Sequence, residues 1–232
     1  MEILKGIEII DLGLFIKKTK SLIIGDMHIG SGEAFEESGL LIPVYSFKDI
    51  IDRLTKIIDK TKPKEIIICG DLKHEFGRIS NQEWREILQL IDLLKERGNL
   101  IIIKGNHDAI LEPVVRKRGI KLVDFYKIGN ITLLHGDKVI LNALDCKIII
   151  MGHEHPAVTI KDGVKREKYK CFLKGEWNDK ILIVLPSFNL LSEGSDITKG
   201  KMLSPFLNQD LGNFEVYVIE DKIYNFGKVK NL

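Results

Sequence analysis

The chain has 232 residues, 44% of them hydrophobic and 29% charged, with a formal net charge of +2. That composition excludes a disordered or fibrous chain, and the near-neutral total leaves only a local basic patch for holding a polyanion. Three cysteines, Cys69, Cys146 and Cys171, include no C-x-x-C pair, which argues against a disulfide scaffold and for a reducing, cytoplasmic setting.

The N-terminus MEILKGIEIIDLG has no basic start leading into a long apolar run, so it does not read as a signal peptide. No run approaches the roughly 18 apolar residues of a spanning helix, and no membrane partner is expected. The first buried-strand pattern is SLIIG at 21–25. SFKDIIDRLTKIIDK comes next as an amphipathic helix, with Phe47, Ile50, Ile51, Leu54, Ile57 and Ile58 on one face, Ser46 as its cap and Pro63 beyond its end. EIIICG at 65–70 reads as a second strand. SNQEWREILQLIDLLKERG reads as a second helix, with Ser80 and Glu83 at capping-box spacing, a stripe of Trp84, Ile87, Leu88, Ile91 and Leu94, and a stop at Gly98. NLIIIKG, ITLLHGD and KIIIMG continue the strand pattern. Isoleucine-rich runs of this kind suit strands covered on both faces. After about residue 157 the runs KCFLK, ILIVLP and FEVYVIEDKIYNF predict strands without helices between them. The first part therefore reads as α/β and the last as mostly β, within one domain spanning 1–232.

The residues just after each apolar run carry the chemistry. LIIG leads into Asp26 and His28, and IIICG into Asp71. IIIKG leads into Asn106 and His107, ITLL into His135, and IIIMG into His153 and His155. Residues i and i+2 of an extended chain point the same way, so Asp26 and His28 are expected to face one point together, as are His153 and His155. Sites in open α/β sheets form beyond the carboxyl ends of the strands. A donor set of carboxylate, imidazole and one amide suits Mn²⁺, Fe or Zn²⁺ better than Ca²⁺ or a thiolate cluster.

The ordered elements D-x-H at Asp26–His28, GD at Gly70–Asp71, GNH at Gly105–His107, the lone His135 and GHxH at Gly152–His155 resemble the calcineurin-like metallophosphoesterase superfamily. EAFEESGLLIP, GDLKHEFG and VLPSFNLLSEG extend the resemblance over nearly the whole chain. They are similar to the archaeal phosphoesterases related to repair exonucleases and to the bacterial phosphoesterases encoded beside DNA ligase. The resemblance implies an α/β (α+β) fold, a four-layer αββα sandwich of two mixed β-sheets flanked by helices. It implies two divalent metal ions, manganese first, with iron, zinc or nickel as alternatives. One would be held by Asp26, His28, Asp71 and His155, the other by Asp71, Asn106, His135 and His153, with Asp71 bridging. His107 would act on the phosphoryl group or the leaving oxygen.

Around this set, Asp108 is a candidate to orient His107, the alternative being a solvated loop carboxylate. His74, Lys73 and Arg78, just after the GD motif, are candidate substrate contacts. Arg116, Lys117 and Arg118, and Lys165, Arg166 and Lys168, are candidates for a basic track. The expected activity is hydrolysis of phosphate esters, with a DNA nuclease linked to repair as the leading reading. Small or cyclic nucleotides are the alternative substrates, and a non-catalytic scaffold is the minor one. The oligomeric state is left open.

Overall fold

The computed structural model describes residues 1–31, 47–75, 79–163, 165–199 and 201–232. Ser46, Arg78 and the EAFEESGLLIP segment lie outside the described residues.

The chain builds one sheet and then the other. The first comprises β1 (Glu2–Leu4), β2 (Ile7–Ile10), β3 (Gly13–Ile16), β4 (Ser21–Gly25), β5 (Glu65–Cys69), β6 (Asn99–Ile103) and β7 (Lys121–Val123), in that spatial order. β1 to β4 form an antiparallel meander, whereas β4, β5, β6 and β7 run parallel. The parallel strands need crossovers, and the two amphipathic segments supply them as α1 (Phe47–Thr61) and α2 (Asn81–Arg97). The short α3 (Glu112–Lys117) links β6 to β7.

α1 buries Ile50, Leu54, Ile57 and Ile58. α2 buries Glu83, Ile87, Leu90, Ile91 and Leu94, so its inward stripe is rotated from the expected one. Trp84 and Leu88 sit on its flank, and Glu83 and Leu90 take the inner positions. Ser80 caps α2 by accepting from the Glu83 amide at 3.0 Å. β4, β5 and β6 are buried on both faces, as their unbroken apolar runs predict. Each such isoleucine contributes about 1.5–3 kcal/mol by leaving water.

The second sheet comprises β8 (Phe125–Ile128), β9 (Ile131–Leu134), β10 (Ile148–Met151), β11 (Pro156–Asp162), β12 (Lys165–Trp177), β13 (Lys180–Val184), β14 (Ser195–Asp196), β15 (Glu215–Ile219) and β16 (Ile223–Lys228). β9, β10 and β13 are parallel neighbours. β12 pairs antiparallel with β11, β13 and β15. Leu133, Ile150, Phe172, Ile183 and Tyr217 face the first sheet and share its core. Their sequence neighbours Leu134, Ile149, Met151, Cys171, Leu173, Leu182 and Val184 form a second core on the outer face, with Phe206, Leu207 and Phe214. The two mixed sheets are those expected, but their cover differs on one side. Among the described residues, 3₁₀ turns at Leu141–Ala143 and Pro205–Leu207, rather than α-helices, lie over the second sheet. No helix of the described residues is long and apolar enough to cross a membrane.

Candidate metal centre

β4, β5 and β6 of the first sheet and β9 and β10 of the second all end at one place. Their trailing residues are Asp26 and His28, Asp71, Asn106 and His107, His135, and His153 and His155. The sheets close on one another there because glycine leaves room. A Cβ on Gly70, whose φ is +92°, would stand 1.9 Å from His135 Nδ1, and one on Gly105 would stand 2.0 Å from Asp71 Oδ1.

Strand alternation does not aim these side chains. Asp26 to His28 and His153 to His155 lie beyond the strands, and His28, His153 and His155 have φ values of +43°, +67° and +50°. Left-handed backbone costs an L-residue about 1–2 kcal/mol, so surrounding structure has to hold it. In consequence His153 and His155 do not face one point, as the i, i+2 argument predicts, but enter different donor groups.

In the first group, His28 Nε2 and His155 Nε2 are 3.4 Å apart. His155 Nε2 is 3.4 Å from Asp26 Oδ2, and His28 Nε2 is 3.8 Å from Asp71 Oδ2. In the second, His135 Nε2 lies 2.8 Å from Asn106 Oδ1, 3.1 Å from His153 Nδ1 and 3.4 Å from Asp71 Oδ2. The same Asp71 oxygen belongs to both.

These spacings fit bound cations. Two nitrogens about 2.0–2.1 Å from one metal, seen at a tetrahedral or octahedral angle, stand about 2.8–3.4 Å apart. A single proton on His135 Nε2 can serve only one of the three acceptors around it. His28 Nδ1 is buried without a hydrogen bond, a state that costs stability unless something compensates it, whereas His135 Nδ1 and Asp26 Oδ1 face each other at 3.2 Å. The triads Asp26–His28–His155 and Asp71–His135–His153 each converge closely enough for one ion, and so does His28–Asp71–His107.

The electrostatics record the same crowding. Burial drives the His28 imidazole down to about 3, and the charges of His155 and His107 add to it. Burial, with His135 next to it, takes His153 to about 4. Burial would also lower His135, but the hydrogen bond and charge of Asp26 and the charge of Asp71 lift it to about 9. Burial pushes the Asp71 carboxyl up to about 7, with His135 opposing and Asp26 and Asp108 reinforcing. Burial alone would raise Asp26 too, yet His155 and His135 hold it well below the usual carboxylate range.

His107 stands beside both groups. Its Nδ1 is 2.5 Å from the His74 carbonyl, an acceptor only, so Nδ1 carries the proton and Nε2 faces Asp71 Oδ2 at 3.7 Å. Asp108 does not orient it. The Asp108 carboxylate is buried and accepts the amides of Leu72 at 3.0 Å, Lys73 at 3.2 Å and Gly105 at 3.0 Å, so it ties the GD loop to the GNH loop. Lys73 is 0% exposed and its Nζ has no hydrogen-bond partner among the described residues, so it offers nothing to a substrate phosphate at the surface. His74 does border the site, its ring 5.5 Å from that of His28. It lines a cavity of about 240 Å³ with His28, Ser31, His155, Asn189 and Ser192. Glu154 turns away and binds the amides of Leu203 and Ser204 at 2.8 and 2.9 Å.

The segment after β13 contributes what the motifs do not reveal. The Ser187 hydroxyl donates to the Asp26 carbonyl at 2.8 Å. Asn189 Nδ2 donates to the carbonyls of Met27 at 3.1 Å and His28 at 2.9 Å and to Ser31 Oγ at 2.7 Å. Lys170 Nζ donates to the Ser187 carbonyl at 2.7 Å and also to that of Asn189. The signal in the sequence is two polar residues, Ser187 and Asn189, directly after a buried apolar strand. By itself that pattern carries only a family resemblance.

A DNA polymerase II small subunit of Methanocaldococcus jannaschii is 26% identical over 193 residues, covering 69% of this chain and 32% of that protein. The chain thus spans about a third of that relative's length. Among solved structures, the Pseudomonas putida nuclease MPE has a similar fold, with a TM-score of 0.66, 17% identity and coverage of 93% of this chain and 92% of that one. The Escherichia coli phosphoesterase YfcE gives a TM-score of 0.43 at 13% identity over 90% of this chain and 97% of its own. The sequence model of the calcineurin-like phosphoesterases matches residues 19–157, from the start of β4 through the GHxH motif, and the chain belongs to that family of metal-dependent phosphoesterases.

Proposed function

We propose that the protein is a phosphodiesterase with two divalent metal ions, manganese first, and that its substrate is nucleic acid, DNA first. The observation that carries this reading is the single Asp71 Oδ2 shared by two convergent donor groups. Asp26, His28, Asp71 and His155 would hold one ion, and Asp71, Asn106, His135 and His153 the other. Bound there, the pair supplies a water of lowered pKa as nucleophile and neutralises charge on the phosphoryl oxygens.

The chain's own part is positioning and proton transfer. Asp108 and the Asn189 segment hold the ligand loops still. The bond from His107 Nδ1 to the His74 carbonyl aims Nε2 over Asp71, where the ring in its imidazolium form would pass its Nε2 proton to the departing alcohol oxygen and be left neutral. The His74 cavity has room beside the scissile group for part of one nucleotide. The substrate class is supported by the nucleic-acid enzymes among the similar proteins. A repair role, and the cytoplasmic setting suggested by three free cysteines, belong to the same proposal.

The test is a panel of a chromogenic phosphodiester, a chromogenic phosphomonoester, single-stranded and duplex DNA, RNA and a cyclic nucleotide, each with Mn²⁺ and with EDTA. Metal-dependent cleavage of diesters, fastest on DNA, is expected. Preference for the monoester or the cyclic nucleotide would overturn the substrate. Stoichiometric metal binding without turnover of any of them would make the protein a scaffold.

A further inference from the structure

The β11–β12 hairpin leaves the metal centre directly, since β11 begins at Pro156, the residue after His155. Its register sets Ala157 opposite Lys170, Thr159 opposite Lys168 and Lys161 opposite Arg166. Directly opposed residues of an antiparallel pair share a face. One face therefore carries Val158, Ile160 and Tyr169, which pack into the outer core of the second sheet. The other carries Lys170, Lys168, Arg166 and Lys161 in order from base to tip. At the base, Lys170 holds the carbonyls of Ser187 and Asn189, the segment that clamps the Asp26–His28 loop.

Not all of this charge is compensated. Lys168 pairs with Glu193 at 3.1 Å, and Asp196 at the hairpin's edge is taken by Thr159, Thr198 and Lys199. The Lys161 and Arg166 side chains are exposed and form no ion pair or hydrogen bond among the described residues. Like charges directly opposed across a ribbon are destabilising, so the chain maintains here an arrangement that folding does not favour. A polyanion along that face would reverse the sign of the effect.

We propose that this face of the ribbon binds the phosphate backbone of a nucleic-acid strand on its way to the metal centre. The inference rests on the phosphodiesterase reading above, and it adds which surface carries the strand. Lys161 lies six residue steps beyond His155. At about 3.3 Å per residue the ribbon reaches about 20 Å, or roughly six phosphates along one strand of a duplex. A mononucleotide at the metals cannot reach its tip.

The other basic cluster is badly placed for this. Lys121 is level with Ile101 in the parallel register of β6 and β7, and Arg116 to Arg118 precede it. They therefore lie back along the strand direction from Asn106, on the side where Arg118 meets Asp92 of α2. Arg116 and Arg118 also pair with Glu112 and Asp92, both at 2.9 Å.

The experiment measures affinity for labelled oligonucleotides of 4 and 20 nucleotides by fluorescence anisotropy at several KCl concentrations. EDTA is present, so no turnover enters the result. Replacing both Lys161→Gln and Arg166→Gln should weaken binding of the 20-mer roughly 25–60-fold at 0.1 M salt. The slope of log K against log salt should become shallower by about 1.4 for single strands and 1.8 for duplex. Binding of the 4-mer should be unchanged, and the thermal midpoint unchanged or slightly raised. Arg166→Glu alone, which converts the repulsive pair into an attractive one, should also lose the 20-mer. Removing two charges as Arg116→Gln with Lys117→Gln should leave both affinities as they were. Equal 20-mer affinity and slope in all variants, equal losses on both lengths, or no binding of the 20-mer by the unmodified protein would each overturn the proposal. Failure of metal-dependent diester cleavage would overturn the phosphodiesterase reading instead, and the EDTA titration would not register it.

Discussion

Replacing Asn189 with alanine tests whether the segment after β13 builds the first donor group. Asn189 is 1% exposed. Its amide nitrogen donates to the carbonyls of Met27 and His28, and its oxygen accepts the Leu191 amide at 2.8 Å. The carbonyls it grips flank the His28 φ, which sits at +43°. Truncation leaves two carbonyls and one amide without this partner. At about 1–3 kcal/mol per buried unsatisfied group, with water recovering part, the loss comes to about 3 kcal/mol. For a chain of this size that lowers the thermal midpoint by about 6–12 °C. Freed of the clamp, His28 can relax from its left-handed backbone, and Mn²⁺ affinity at the first group should fall by about 10–100-fold. The second group should bind as before. Calorimetric titration with Mn²⁺ and a thermal melt of the metal-free protein read both effects. Asn189→Asp keeps the acceptor but loses the donors, so it should do no better than alanine. Two unchanged metal affinities with a midpoint shift under about 2 °C would refute the reasoning.

Asp71→Asn weakens the shared ligand and should reduce metal content at both groups, whereas His28→Ala should leave about one ion per chain by elemental analysis; equal losses in the two variants would contradict the bridging role. His107→Ala should lower turnover of a small diester by roughly 10²–10⁴-fold with metal content retained, and a proportional loss of metal would make His107 a ligand, as its place near His28 and Asp71 allows. Gly105→Ala drives a methyl to 2.0 Å from Asp71 Oδ1, so activity and metal binding should fall together, and near-normal activity would show that the loop yields easily. Saturating Mn²⁺ at about 100 times its Kd should stabilise the fold by about 2.7 kcal/mol per ion, or roughly 5–10 °C in a melt, and no shift would argue against the site.

The sequence alone was enough to single out the candidate donors. Asp26, His28, Asp71, Asn106, His107, His135, His153 and His155 stand out because each comes after a glycine or a buried strand, and a strand buried on both faces has a local signature in its isoleucine run. α1 and α2 were legible for the same local reason, a 3.6-residue period with a stop signal. β1 to β3 were not, since three- and four-residue segments on one sheet edge leave too short a pattern. Only the tertiary structure decided which donors meet. His153 and His155 separate because left-handed backbone, held by neighbouring loops, overrides the two-residue alternation of a strand. Lys73 became a buried side chain, and Asp108 a collector of amides and Asn189 the clamp on His28, the last two through partners tens to more than a hundred residues away that no spacing along the chain encodes. The basic candidates divided in the same way. Lys161 and Arg166 acquired significance from a hairpin register, and Arg116 and Arg118 lost it because the fold pairs them with Glu112 and Asp92.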